Sequence, residues 1–111
     1  MEEKRKMKRK NLPYYLRVVD TKTDQPIGDA SNISIEGMML ISDHPIETNA
    51  TFRLKMVLPK EIHGNEYLEF SAESKWWEKG FIPDSYNVGF RLKNASKEVI
   101  QIIERLMEKF C

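Results

Sequence analysis

The sequence predicts a mainly β protein: a six-stranded antiparallel β-barrel followed by a C-terminal α-helix. Six short segments rich in aromatic and β-branched residues are separated by clusters of turn-forming residues, which is typical of a small barrel. From Ser96 onward the spacing of apolar residues becomes helical, which indicates one amphipathic helix at the end of the chain. The 111 residues contain no visible internal repeat and no sign of a second domain.

Turn-forming residues limit the first three predicted strands, which cover residues 14–20, 28–33 and 38–42. Pro13 disfavours a helix in the residue before it, and the aromatic and β-branched segment that follows favours an extended strand. A turn around Pro26 leads to the second strand, and Gly37 lies in the short connection to the third. A loop containing Pro45 follows and separates these strands from the rest.

The other three predicted strands cover residues 51–58, 67–77 and 86–92 and show alternation of apolar and polar residues. The alternation is clearest in the fourth strand, where Arg53 and Lys55 separate apolar residues that face the opposite side. In the fifth strand it places Trp76 toward the core and Trp77 at the surface. In the sixth it directs Val88, Phe90 and Leu92 inward.

The C-terminal helix is predicted to begin behind Ser96, a residue type that commonly caps helix N-termini. Its apolar stripe consists of Val99, Ile103, Leu106 and Phe110, flanked by Ile100 and Met107. Such a stripe predicts that one side of the helix packs over an opening of the barrel.

Composition excludes several classes of protein. The chain is 41% apolar, yet no apolar run approaches the roughly 20 residues of a membrane-spanning helix. The N-terminus is charged from its second residue and lacks the apolar segment of a secretory signal. The only cysteine, Cys111, can form neither an internal disulfide nor a cysteine-based metal site. We therefore expect a cytoplasmic protein that does not insert into membranes.

The sequence offers no catalytic or metal-binding arrangement. His44 and His63 lie in separate polar loops, and their spacing does not suggest a shared metal. The neighbouring Asp43 and His44 have no nucleophile close to them in the sequence. We expect a binding protein rather than an enzyme, with no cofactor and no metal.

The net charge of +1 hides an uneven distribution along the chain. Residues 1–10 contain six Lys or Arg and two Glu, which gives them a net charge of +4. The remaining residues contain 12 basic and 15 acidic side chains. A protein that coats a long nucleic acid is usually basic over its folded surface as well. This distribution suits a small anionic ligand better than a polymer.

Two short polar motifs carry the functional prediction. Arg5 and Arg9 lie four residues apart within the basic N-terminal segment. Asn32, Ser34 and Gly37 form an Asn-x-Ser-x-x-Gly pattern between the second and third predicted strands.

Both motifs contain residue types that suit a nucleotide ligand. Arginine can stack on a purine ring, bind the O6 and N7 atoms of guanine, and pair with a phosphate. Residues two apart on a strand point to one face, so Asn32 and Ser34 would present their polar groups together. Gly37 would permit a positive φ angle and a close approach of the main chain to the ligand.

The order of the two motifs, on either side of a first β-strand, resembles the two defining motifs of PilZ domains. PilZ domains are bacterial receptors for the second messenger cyclic di-GMP, and the resemblance extends over nearly the whole chain. It implies a stand-alone PilZ protein in which Arg5, Arg9, Asn32, Ser34 and Gly37 bind cyclic di-GMP. Lys4 and Lys8 are candidate accessory contacts.

The charged N-terminal segment, together with the resemblance, predicts an organisation and a mechanism. Residues 1–12 are expected to form a flexible basic arm, and residues 13–111 the PilZ-like barrel with its helix. The arm would become ordered on binding cyclic di-GMP and signal to an unidentified partner protein.

Two alternative functions remain open at this point. The first is a small β-barrel that binds single-stranded nucleic acid, which should expose several aromatic residues on one strand face. Most strand aromatics here are predicted to face inward, with Tyr15, Tyr67 and Trp77 as exceptions, so nucleic acid is the less favoured ligand. The second alternative is a PilZ-like protein without the ligand, acting only through contacts with other proteins.

Overall fold

The computed structural model describes residues 10–109, apart from the side chains of Lys10, Asn11 and Tyr14. Six β-strands are followed by one α-helix. The strands are β1 (Lys10–Asp20), β2 (Gln25–Ile33), β3 (Gly37–Ser42), β4 (Thr51–Val57), β5 (Tyr67–Lys79) and β6 (Tyr86–Lys93), and the helix is α1 (Lys97–Lys109). No helix within these residues is long and apolar enough to cross a membrane.

The strands form a closed barrel in the order β1-β2-β3-β6-β5-β4, and all neighbouring pairs are antiparallel. The predicted fold class, a six-stranded antiparallel barrel with a C-terminal helix, is therefore confirmed. Closure depends on a short contact between β1 and β4, where Val18, Val19 and Asp20 pair with Met56, Lys55 and Leu54.

The core lies inside the barrel and against one side of the helix. Buried residues of all six strands point inward, and Val18, Leu54, Met56 and Ala72 are fully buried there. Ile102, Ile103 and Leu106 of α1 belong to the same apolar cluster. The helix therefore completes the barrel core.

The helix begins as the sequence predicts. The Ser96 hydroxyl accepts a hydrogen bond from the Val99 backbone amide at 3.2 Å, which satisfies one of the free amides of the first turn. Phe110, the last residue of the predicted apolar stripe, lies outside the described residues.

Two strands begin three or four residues earlier than predicted. β1 starts at Lys10 rather than Tyr14, because Lys10 and Asn11 pair with Ile33 and Asn32 of β2. β2 starts at Gln25, which pairs with Asp20, so the turn between the two strands is short. The prediction missed both starts because they depend on pairing with another strand rather than on local sequence pattern.

The predicted orientation of Trp76 is wrong. The register between β5 and β6 shifts between Ser74 and Trp76, so that Trp76 lies opposite Gly89 on the outer face. Trp77 lies opposite the buried Val88, yet 42% of its surface is exposed, so its predicted surface position is confirmed. A bulge of this kind adds one residue to a strand and reverses the alternation that follows.

Candidate functional site

The Asn-x-Ser-x-x-Gly motif forms the tight connection between β2 and β3. Asn32 lies near the end of β2, Ser34 follows its last residue, and Gly37 begins β3. The amide of Ser34 donates to the carbonyl of Gly37 at 2.8 Å, and the amide of Gly37 donates to the carbonyl of Ser34 at 3.3 Å. These two hydrogen bonds therefore fix the backbone of the connection between β2 and β3.

Ser34 is placed differently from the prediction. It lies beyond the end of β2 rather than two strand positions from Asn32, and only 2% of its surface is exposed. Its hydroxyl accepts hydrogen bonds from the backbone amides of Glu36 at 3.1 Å and Gly37 at 3.3 Å. The hydroxyl thus supports the connection from inside, a common use of serine in turns.

Gly37 is required for a reason other than the predicted one. The residues with positive φ angles do not include Gly37. A Cβ atom at this position would overlap the carbonyl oxygen of Phe90 and lie 3.1 Å from its carbonyl carbon. The absence of a side chain therefore lets the start of β3 approach the backbone of β6.

One row of residues runs across the outer wall from Asn32. Asn32 pairs with Met39 of β3, Met39 pairs with Gly89 of β6, and Gly89 pairs with Trp76 of β5. Paired residues point to the same side of a sheet, so these four positions face outward together. We call this row the platform. Three strand spacings of about 4.8 Å give it a width of roughly 14–15 Å.

Asn32 carries an unsatisfied polar atom at one end of the platform. Its Oδ1 atom is buried and has no hydrogen-bond partner among the residues that the structure describes. A buried polar atom without a partner costs about 1–3 kcal/mol. Asn32 therefore offers a hydrogen-bonding group that a ligand could satisfy.

Trp76 lies at the other end of the platform and is 38% exposed. Its indole covers Gly89, where an added Cβ atom would overlap the ring. Sequence reasoning missed this residue because strict alternation directed it into the core. Two signals were available: a pair of adjacent tryptophans in one strand, and a glycine within the facing strand, where glycine often marks a close approach.

Basic side chains adjoin the platform. A cavity of about 500 Å³ lies beside the connection between β2 and β3, and its lining includes Glu36, Lys75, Trp76 and Arg91. Arg91 pairs with Gly37 across the strands and is exposed. Among the described residues, no ion pair engages its guanidinium. The cavity therefore combines an aromatic face with a free cation.

Glu73, the neighbour of Arg91 across β5 and β6, is already paired with two other cations. Its carboxylate lies 3.7 Å from Nζ of Lys75 and 3.5 Å from Nζ of Lys93. Neither lysine was identified from the sequence, and neither was Arg91, because isolated basic residues in strands carry no motif.

The basic side chains predicted to bind the ligand, those of Lys4, Arg5, Lys8 and Arg9, lie outside the described residues. The structure does place the point from which that segment departs. Lys10 and Asn11 pair with Ile33 and Asn32, so residue 9 precedes a position beside the Asn32 end of the platform.

The described residues contain no group of three or more His, Cys, Asp or Glu side chains that could hold a metal ion. His44 lies in the loop after β3 and contacts Asp43 at 2.7 Å. His63 lies in the loop between β4 and β5, where its carbonyl accepts a hydrogen bond from Arg105 at 3.1 Å.

Comparison with solved structures identifies the fold. The PilZ domain of YcgR from Escherichia coli, solved with c-di-GMP, superposes with a TM-score of 0.76 at 14% identity, over 97% of this chain and 92% of that one. The inhibitor of motility MotI/DgrA from Bacillus subtilis gives a TM-score of 0.78 at 16% identity, over 97% of this chain. The MrkH–c-di-GMP complex of K. pneumonia gives 0.74 at 14% identity, also over 97%.

The chain spans about half the length of two of these proteins, 51% of MotI and 52% of MrkH. Comparisons with protein-family models and with curated proteins found no match. The structural likeness confirms the PilZ resemblance at the level of the fold: this protein has the fold of PilZ domains.

Proposed function

We propose that this protein is a cytoplasmic receptor for cyclic di-GMP that passes the signal to a partner protein. The observation that carries the proposal is the platform, with a hydrogen-bonding side chain at one end, an indole at the other and a free arginine beside it. The fold is shared with PilZ structures that were solved with c-di-GMP. No catalytic step is part of the proposal.

The ends of the platform would bind the bases. The Asn32 amide offers a donor and an acceptor to the edge of a guanine. The exposed indole of Trp76 would stack on a purine ring, since an aromatic side chain contributes about 1–3 kcal/mol per stacked base. Arg91 and Lys75 lie beside Trp76 and would pair with phosphate oxygens.

Ser34 and Gly37 would act through the backbone. Their hydrogen bonds and close packing fix the connection between β2 and β3, and so the position of Asn32 relative to Arg91. We propose that both belong to the site as residues that position it, rather than as the direct contacts expected from the sequence.

The N-terminal arm would close over the ligand. The arm leaves the barrel beside Asn32, and Arg5 lies four residues before Arg9. Four extended residues span about 13–14 Å, which is close to the roughly 14–15 Å width of the platform. Arg9 can therefore serve the Asn32 end while Arg5 reaches toward Trp76, with Lys4 and Lys8 adding positive charge. The ligand and the ordered arm together would form the surface that the partner recognises.

Calorimetric titration with cyclic di-GMP, with cyclic di-AMP as the control, tests the proposal. We expect binding of the guanine ligand and much weaker binding of the adenine ligand, because adenine presents a donor where guanine presents O6. Equal binding of both would indicate that only phosphates are recognised, which favours the nucleic-acid alternative. Absence of binding by either would favour the ligand-free interaction module.

A further inference from the structure

A second surface of the barrel lies outside the proposed cyclic di-GMP site. It is a groove of about 510 Å³ on the outer wall, between β1, β2, β3 and the loop that joins β5 to β6. Arg17, Asp29 and Ile41 form one row of paired residues across its floor. From this row the groove extends away from the platform, toward Pro26, Asp43 and Ser85.

The groove has large exposed apolar side chains at its edges. Tyr15 on β1 is 52% exposed, and Ile82 in the loop is 56% exposed. Phe81, next to Ile82, is 104% exposed and so gains no burial from this fold. Clustered exposed apolar residues of this size commonly mark a surface that another molecule covers.

Three hydrogen bonds close the loop that presents these residues. The amide of Gly80 donates to the carbonyl of Ser85 at 2.9 Å, and the amide of Ser85 donates to the carbonyl of Ile82 at 3.1 Å. The hydroxyl of Ser85 donates to the same carbonyl at 2.6 Å. Because the loop is preformed, a partner would not have to pay the entropy of ordering it.

The charge of the groove indicates which kind of partner can bind there. Its lining contains the carboxylates of Asp29, Asp43 and Asp84 but only one basic side chain, Arg17. Arg17 is bound to Asp29 at 2.8 Å. The negative potential is then set by Asp84 and by Asp43, whose carboxylate contacts the ring of His44. A nucleic acid is disfavoured here because its phosphates would face these carboxylates. A second copy docked by two-fold symmetry is also disfavoured, because it would bring the same carboxylates together.

We infer that this acidic groove is a docking site for a protein segment in which an apolar residue is flanked by lysine or arginine. The apolar side chain would lie between Tyr15 and Ile82, covered by Phe81, and the basic residues would face Asp43 and Asp84. The inference does not depend on cyclic di-GMP, since none of the platform residues lines the groove.

Selection from a displayed library of random peptides against the intact protein tests the inference. We expect enrichment of peptides that combine an apolar anchor with Lys or Arg, both with and without cyclic di-GMP. A synthetic peptide of the enriched sequence should bind the Ile82→Ala variant about tenfold more weakly, because the apolar residue of the peptide loses its contact with the Ile82 side chain. Its binding should also weaken as the salt concentration rises.

Removing the two carboxylate charges tests the electrostatic part of the inference, with a charge removed elsewhere as the control. Asp43→Asn combined with Asp84→Asn keeps the side-chain shapes, and asparagine tolerates the positive φ angle of 63° at position 84. This variant should bind the same peptide about fivefold more weakly, whereas Glu104→Gln on the exposed side of α1 should bind it normally.

Three results would overturn the inference. The first is a library without enrichment, or with acidic peptides enriched. The second is an enriched peptide that binds the groove variants as well as the natural chain. The third is sedimentation showing that the protein self-associates through Phe81 and Ile82, which would make a second copy the occupant.

Discussion

At Gly89 the indole of Trp76 fills the space that a side chain would need. We make two predictions about single residues. The first concerns Gly89→Ala, whose methyl group would overlap the ring and displace it from the platform. We expect cyclic di-GMP affinity to fall by about tenfold, within the range for loss of one stacked base.

Tryptophan fluorescence in a Trp77→Phe background isolates the signal of Trp76. The emission of Trp76 should shift in Gly89→Ala, while the unfolding midpoint in urea changes little. Unchanged affinity together with a shifted emission would remove Trp76 from the site.

The second residue-scale prediction concerns Arg9. Lysine keeps the charge of arginine but cannot form two parallel hydrogen bonds with a guanine edge or a phosphate. Arg9→Lys should therefore weaken binding about 5- to 150-fold, as expected for loss of one bidentate contact. Lys10→Ala, a neighbouring change that removes a charge, should alter affinity little. Titration calorimetry measures the affinity of both variants for cyclic di-GMP. Equal binding by Arg9→Lys and the natural chain would contradict the role of Arg9.

At the scale of elements, local pattern predicted the six strands and the helix but not the bulges. The shift at Ser74 depends on contacts with a distant loop: its hydroxyl donates to the carbonyl of Glu47 and accepts from the amide of Ala50. The sequence does not show this pairing, so alternation continued past Ser74 in the prediction and placed Trp76 inside.

The same limit applies to the candidate site. Asn32 and Gly37 were found because they belong to a motif with fixed spacing. Trp76 and Arg91 were missed because their place beside that motif depends on the order β3-β6-β5 in the barrel. Ser34 was found, but its inward orientation follows from the end of β2, which the pattern did not resolve.

The packing of β3 against β6 gives the element-scale prediction. Gly37→Ala would force the two strands apart, because the obstructing atoms belong to the backbone of Phe90 and cannot rotate away. We expect a loss of about 1–3 kcal/mol in the free energy of unfolding, the usual cost of overpacking. Urea denaturation measures it.

Gly80→Ala is the control for that measurement. Its Cβ atom would first meet the hydroxyl of Ser85, which can rotate away at the cost of one hydrogen bond to the Ile82 carbonyl. It should therefore cost less than Gly37→Ala. A larger loss for Gly80→Ala would mean that the approach of β3 to β6 is not what requires Gly37.

At the scale of the whole molecule, the proposed signal is a change in the arm rather than in the barrel. The barrel is closed, and α1 packs into the same core. The strands and the helix therefore form one packed unit, and a ligand bound on the outer wall has no interface between them to shift. Residues 1–9 of the basic arm contain no apolar side chain other than two methionines, and their positive charges repel one another. We therefore expect ligand binding to order the arm while the barrel stays unchanged.

Hydrogen exchange with and without cyclic di-GMP tests this whole-molecule prediction. Ligand should add protection in residues 4–9, which precede β1, and in residues 32–37, with little change in α1. Ordering six to ten residues costs about 1–2 kcal/mol each in backbone entropy, so the contacts with the ligand must offset a substantial cost. The affinity should accordingly be moderate, and it should weaken as salt screens the arginines. An arm that is protected before ligand is added, or that still exchanges freely when the site is saturated, would contradict the switch even if cyclic di-GMP binds.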